Sequence, residues 1–305
     1  MAHRVCEFVA GLTLVGTLSL SAADPVRVIK DIGYLGEDRK EKRDLYLPPG
    51  EAKSDARRPA VLIVHGGGWH GGDKAAGRER NIGANLAQAG YVCASVNYVL
   101  AKKQEVFTDN LRQVWPDNLQ ECMRAVRWLR AHADEYQIDP AKIGAIGGSA
   151  GGHLVAMLAY AGDADGLDPV GGPYAKHSCR IQAVVPMYGV YDLIAHAEDK
   201  ALLAKLNDAD RALCRAASAV SYLSKGDPPA LLLHGTNDKL VPVRQSVRLH
   251  AALQRAGLSS ELHIIREAPH SFHLQPKQRD LRELVVGFFD RHLKGAEGRI
   301  PKTEK

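Results

Sequence analysis

No block of like charge runs through this chain. Its 40 Lys and Arg and 35 Asp and Glu are interspersed along 305 residues. The net charge of +5 therefore describes a mildly basic, solvated surface and excludes a nucleic-acid patch. Internal repeats, low-complexity tracts and an interdomain linker are missing too. With 45% hydrophobic and 25% charged residues, the composition is that of a folded globular chain, not a disordered one. The histidines show no metal-ligand arrangement. No glycine-rich loop ends in the Lys-Ser or Lys-Thr of a phosphate cradle. No metal, organic cofactor or nucleic acid is expected as a partner. The length allows one large domain with a sizeable core.

The first residues differ from the rest. Arg4 precedes an apolar stretch from Phe8 to Leu20, and the small residues Ser21, Ala22 and Ala23 follow just before Asp24 and Pro25. The stretch is short for a bilayer span and has the layout of a cleavable secretory signal, with an uncleaved membrane anchor as the alternative. The expectation is a signal over residues 1–23, a mature domain over 24–305, a secreted or periplasmic protein, and no stable membrane insertion after cleavage. No Cys follows the apolar stretch, so a lipid-anchored start is not expected. Beyond the leader, Cys93 and Cys122 sit in apolar patterns, where Cys packs as a small hydrophobe. Cys179 and Cys214 have more polar neighbours, and in an exported chain they are candidates for a disulfide.

Short apolar runs alternate with helical patterns. Strands are expected at Val26–Ile29, Arg43–Leu47, Ala60–Val64, Tyr91–Asn97, Lys142–Ile146, Ile181–Met187, Ala230–His234 and Glu261–Ile265. Several are continuously apolar, as strands covered on both faces are, and the two earliest read as an antiparallel edge pair. Helices are expected after Pro116, over Ala150–Ala161, before Gly257 and near the carboxyl end. Arg124, Arg127 and Arg130 read as a solvated helix face. The pattern predicts an α/β fold with a mainly parallel eight-stranded sheet, helices on both faces and a small helical insertion at roughly 191–225.

Ser149 stands in Gly147-Gly148-Ser149-Ala150-Gly151, between a buried strand and a helix. G-x-S-x-G in that setting makes a tight turn that exposes the hydroxyl and aims the helix's unpaired N–H groups at the same point. Upstream, a strand ends in His65-Gly66-Gly67-Gly68-Trp69, whose glycines let backbone N–H groups face a developing oxyanion, with the Ala150 N–H as partner. Asp238 follows a later strand and suits the acid of a triad. Asp192, the competing acid, reads better as a helix cap. His270 and His273 follow the last strand. Pro269 keeps Ala268 extended, which sets His270 at the strand's mouth and leaves His273 a packing or capping role.

HGGGW, GGSAGG, HGTND and EAPHSFH together resemble the α/β-hydrolase superfamily, over nearly the whole mature chain. They are most similar to secreted bacterial carboxylesterases related to acetyl xylan and feruloyl esterases, and to the hormone-sensitive-lipase-like group. The resemblance implies Ser149 as nucleophile, Asp238 as acid and His270 as base, with Gly67, Gly68 and Ala150 as oxyanion donors. Two departures favour the carbohydrate-esterase side: Gly148 where hormone-sensitive-lipase-like members usually carry Asp, and Tyr98-Val99-Leu100 where they often show Tyr-Arg-Leu. Trp69, Tyr98 and Tyr188 are candidates for the substrate pocket, with plain packing as the alternative.

The expected activity is exported serine carboxylesterase, acting on short-chain esters such as acetyl or feruloyl groups on plant polysaccharide. The rivals are a serine peptidase of the same fold and a non-catalytic binding protein. A peptidase needs a longer cap than the insertion offers, and a binding protein would be expected to lack a triad member.

Overall fold

A computed structural model describes residues 25–50, 56–162, 166–168 and 171–295. The expected leader at 1–23 lies outside them. Eight strands, β1 (Arg27–Gly33), β2 (Lys42–Leu47), β3 (Arg58–Val64), β4 (Val92–Val96), β5 (Ile138–Gly148), β6 (Ala183–Met187), β7 (Ala230–Gly235) and β8 (Ser260–Ile265), form one sheet. Their order is β1-β2-β4-β3-β5-β6-β7-β8. The β1–β2 and β2–β4 pairs are antiparallel, and every pair from β4 to β8 is parallel. All eight expected strands are present, with ends shifted by a few residues.

Alternation along each strand decides the layers. On β3, Ala60, Leu62 and Val64 enter one core, while Val61 and Ile63 enter the other. A parallel sheet covered on both sides needs both alternate sets to be apolar. The first core is closed by α3 (Asp117–Ala131), α4 (Ala150–Tyr160) and α7 (Arg244–Arg255), the second by α1 (Gly77–Gln88) and α8 (Arg282–Phe289). No helix among the described residues is long and apolar enough to cross a membrane.

Between β6 and β7 the insertion folds into α5 (Leu193–Asp199), α6 (Asp208–Ala216) and two single 3₁₀ turns. Together with α2 (Phe107–Val114) it encloses a third apolar cluster that includes Trp69, Leu111, Val190, Leu193 and Cys214. An ion pair between Arg112 and Asp210 ties α2 to α6. A capping box between Asn207 and Asp210 starts α6.

Two expectations are corrected here. The Cys179–Cys214 disulfide does not form: Cys214 is a free thiol on the apolar side of α6, while Cys179 Sγ donates to the Gly162 carbonyl at 3.4 Å in another part of the core. Nor is the arginine face of α3 solvated. Arg127 is buried and donates to the His177 carbonyl and the Asp168 carboxylate. Arg130 donates to the carbonyls of Pro140, Ser178 and Arg180. These long side chains tie the irregular segment before β6 to the helix.

The loop after β3 is anchored at its far end by Lys74. Its ammonium lies 2.7 Å from buried Asp44 on β2 and 2.8 Å from exposed Asp31. Removing only the cation strands a buried carboxylate, which typically costs about 3 kcal/mol. Chemical denaturation of Lys74→Met is expected to show a loss of about that size, and Asp31→Ala less than about 1 kcal/mol.

Candidate active site

At Ser149 the chain passes from β5 to α4 in one residue, with φ 59° and ψ −122°. A non-glycine residue at positive φ is strained and persists only where surrounding packing over-determines it. Here the packing is backbone against backbone. A Cβ on Gly151 would stand 2.1 Å from the Val64 carbonyl oxygen, and one on Gly147 2.5 Å from that of Gly151. Ser149 N–H donates to the Met187 carbonyl at 2.9 Å, and the Ser149 carbonyl accepts the His153 N–H at 2.9 Å. The turn is held between β3 and β6, its hydroxyl at the carboxyl edge of the sheet.

Position 148 must also be small. A Cβ there would lie 2.6 Å from the Tyr188 hydroxyl, so this chain has no room for the Asp that hormone-sensitive-lipase-like members usually carry. The Tyr188 hydroxyl donates to the Phe272 carbonyl at 2.6 Å and accepts from Arg78 at 3.3 Å.

The structure brings three of the expected residues into one line. Ser149 Oγ is 2.9 Å from His270 Nε2, and His270 Nδ1 is 2.6 Å from Asp238 Oδ2. Asp238 leaves β7, and His270 follows β8. Parallel strands deliver both to the edge where Ser149 emerges. Asp238 Oδ1 accepts the N–H groups of Leu240 and Val241 at 2.9 and 2.8 Å. Burial alone would raise the Asp238 carboxyl, but hydrogen bonds from His234, His270 and Val241 outweigh it and hold the group well below the usual carboxylate range. His273 turns aside and accepts the Gln275 N–H at 2.9 Å, while Asp192 caps α5 through the Ala195 N–H at 2.9 Å.

Gly67, Gly68, Trp69, Ser149, Ala150 and His270 line one cavity of about 730 Å³. Gly67, Gly68 and Trp69 all have positive φ. The Gly67 carbonyl accepts from His70 and Gly71 at 3.2 and 3.0 Å, which curls the loop over the serine. Phe107, Val190, Leu202, Leu240 and Val241 supply the remaining apolar wall, and Lys103, Glu105, His196 and Lys200 a polar rim. Among the described residues, no cluster of three or more His, Cys, Asp and Glu could hold a metal.

Tyr98 and Tyr188 are corrections: both are buried behind the site and neither lines the cavity. Tyr98 stacks on His65 at 4.3 Å and donates to its carbonyl at 2.9 Å. Tyr188 packs edge-on against His270 at 5.0 Å. Their rings pack beneath the glycine loop and His270.

Three histidines escaped the reading of the sequence. His196 reaches the cavity from the insertion. His234 touches Asp238. His153, fully buried on α4, accepts from Trp69 Nε1 at 3.2 Å and lies 2.7 Å from the Ala217 carbonyl. The carbonyl requires the proton on Nε2, so one neutral imidazole ties the glycine loop, α4 and the insertion. Its place four residues after Ser149, one helical turn on, was the available signal.

Burial pushes the His153 imidazole down to about 4. The unfolded imidazole titrates near 6.5, so between those values the folded state binds fewer protons. The contribution is complete above about pH 6.5 and lost as pH falls toward about 4, for a total of about 3 kcal/mol. Denaturation midpoints across this window are expected to fall with pH. His153→Gln should reduce that dependence, leaving the comparable part due to His196, also pushed down to about 4 by burial, and the part of His65, which burial lowers too.

A family model described as BD-FAE matches residues 43–253. The probable carboxylic ester hydrolase LipM of Mycobacterium tuberculosis is 31% identical over 226 residues, 71% of this chain and 49% of LipM. The chain thus spans about half the length of that relative. Among solved structures, a thermophilic esterase of Thermogutta terrifontis, Est2, superposes with TM-score 0.67 at 27% identity, over 92% of this chain and 95% of the other. An acetyl ester-xyloside bifunctional hydrolase from Caldicellulosiruptor lactoaceticus does so with TM-score 0.65 at 25% identity, over 82% and 88%. The sheet order, the match across the greater part of the chain and these likenesses agree: the chain belongs to the BD-FAE family, an α/β-hydrolase carboxylesterase family.

Proposed function

We propose that this protein is an exported serine carboxylesterase acting on short-chain esters, with acetyl and feruloyl groups of plant polysaccharide as the substrate class. The observation that carries the proposal is the hydrogen-bonded line Ser149–His270–Asp238 opening into a cavity under a glycine loop. In this reading Ser149 Oγ attacks the ester carbonyl as His270 Nε2 takes its proton. The tetrahedral oxyanion is met by the N–H groups of Gly67, Gly68 and Ala150. His270 returns the proton to the leaving alcohol, which departs and leaves an acyl-serine. A water deprotonated by His270 then releases the acid. Asp238, held as a carboxylate, keeps the His270 proton on Nδ1 and favours the imidazolium as it forms.

The acyl preference follows from the insertion. Two short helices make a small cap, packed around an apolar cluster of its own. Est2 has been crystallised with propionate and with butyrate bound, which supports the same size range. The acetyl ester-xyloside hydrolase supports the carbohydrate side. Export rests on the sequence of residues 1–23.

Ser149→Ala is expected to fold and to lose at least about a thousandfold in turnover of p-nitrophenyl acetate. Est2 is phosphorylated by paraoxon. Here paraoxon should inactivate the wild type by adding one diethylphosphoryl group to Ser149 Oγ with loss of p-nitrophenol, as read by peptide mass. An intact, active variant or an adduct elsewhere would overturn the mechanism.

Across p-nitrophenyl esters, kcat/KM should be highest for acyl chains of about two to four carbons. A rate rising steadily toward about ten carbons would mean that added apolar burial is rewarded, as in a lipase trough.

A further inference from the structure

We propose that His234 is a positioning residue for the same reaction: it holds Asp238 in place for His270 and limits how strongly Asp238 favours the protonated base. This rests on reading Ser149, His270 and Asp238 as the reacting line.

His234 ends β7, four residues before Asp238, and is fully buried. Its Nε2 lies 3.0 Å from the Val241 carbonyl oxygen and 3.2 Å from Asp238 Oδ2, and its Nδ1 lies 2.8 Å from Ser246 Oγ. A carbonyl oxygen only accepts, so the proton sits on Nε2 and is shared between Val241 and Asp238. Nδ1 then accepts the Ser246 hydroxyl. The Val241 carbonyl and the Asp238 carboxylate, which only accept, fix the tautomer, and the Ser246 hydroxyl turns to suit it.

Asp238 Oδ2 therefore meets two imidazole N–H groups, from His270 at 2.6 Å and from His234 at 3.2 Å, while Oδ1 meets two backbone N–H groups. Two consequences follow. The carboxylate cannot rotate without breaking a bond to a buried donor. The His234 donor also draws part of the negative charge that a protonated His270 would otherwise feel. Without it, Asp238 would pair more strongly with the imidazolium. His270 would then stay protonated to higher pH, and the fraction of free base at neutral pH would fall.

Other groups face this pair, and a change at 234 leaves them in place. The Tyr188 ring packs against His270, and behind it Arg78 is paired with Glu79. The buried Tyr188 and Tyr191 phenols feel the Asp238 charge. Lys239 is the exposed neighbour on the loop.

The test is the pH dependence of kcat and kcat/KM for p-nitrophenyl acetate, from about pH 4 to 9, with thermal midpoints measured alongside. In His234→Leu, kcat should fall about tenfold or more, with KM within about twofold. The acid limb should move upward by about half a pH unit. Ser246→Ala, which removes the partner of Nδ1 and loosens the ring but keeps its Nε2 proton, should move it the same way by less. His234→Gln, whose amide N–H can reach Asp238, should restore part of the loss. An acid limb that stays put in folded variants overturns the proposal, whatever happens to kcat. Should His234→Leu fail to fold, the limb in Ser246→Ala decides. A wild type that neither turns over ester nor takes up paraoxon fails the esterase reading itself. A working wild type with an unmoved limb fails the role of His234 alone.

Discussion

The arrangement depends on how closely β3 and the β5–α4 turn approach each other. The carbonyl of Val64 lies where any side chain on Gly151 would go. That contact forces glycine beside the serine, holds Ser149 at positive φ, and starts α4 with its free N–H groups beside the hydroxyl. It also fixes the origin of the loop that follows β3. Gly66 is pressed against the turn as well: a Cβ there would stand 2.7 Å from the Gly148 carbonyl oxygen. The Ser149 turn and the glycine loop after β3 are therefore two sides of one backbone contact, and neither can move without the other.

Around that contact, several buried polar groups are paired, while His65 Nε2 has no hydrogen-bond partner among the described residues. Asp238 has four donors, from His234, His270, Leu240 and Val241. His153 closes a path from Trp69 to the Ala217 carbonyl. Lys74 fixes the far end of the glycine loop to β2. An unpaired buried group costs several kcal/mol, whereas a fully satisfied network mainly specifies geometry. Strain at one residue is thus held by packing and by hydrogen bonds that leave few alternatives.

The motifs that bear on chemistry were legible because each needs a residue type that local physics forces. Glycine is required where backbones meet, so HGGGW and GGSAGG stand out in the chain. Strand periodicity was legible for the same reason: alternate residues of β3 and β7 enter opposite cores, and both sets must be apolar. The disulfide and the solvated arginine face were misread because polar neighbours in the sequence say little about neighbours in space. Cys214 turns into an apolar cluster, and Arg127 reaches across to His177. Of the two readings open for Tyr98 and Tyr188, pocket wall or plain packing, the structure gives packing, since both are buried and neither lines the cavity.

By itself the amino-acid order determined the sheet, the turn at Ser149, the glycine loop after β3 and the places of Asp238 and His270 at strand ends. Each of these is signalled by residue types within one strand–loop–helix unit, where chain direction and steric room leave few choices. Only the tertiary structure decided which buried histidine touches which group: His153 between Trp69 and Ala217, His234 against Asp238, His196 at the cavity rim. An imidazole can donate, accept or pack equally well. Its role is set by what the rest of the fold places within 3 Å or so of each nitrogen, and no local pattern encodes that.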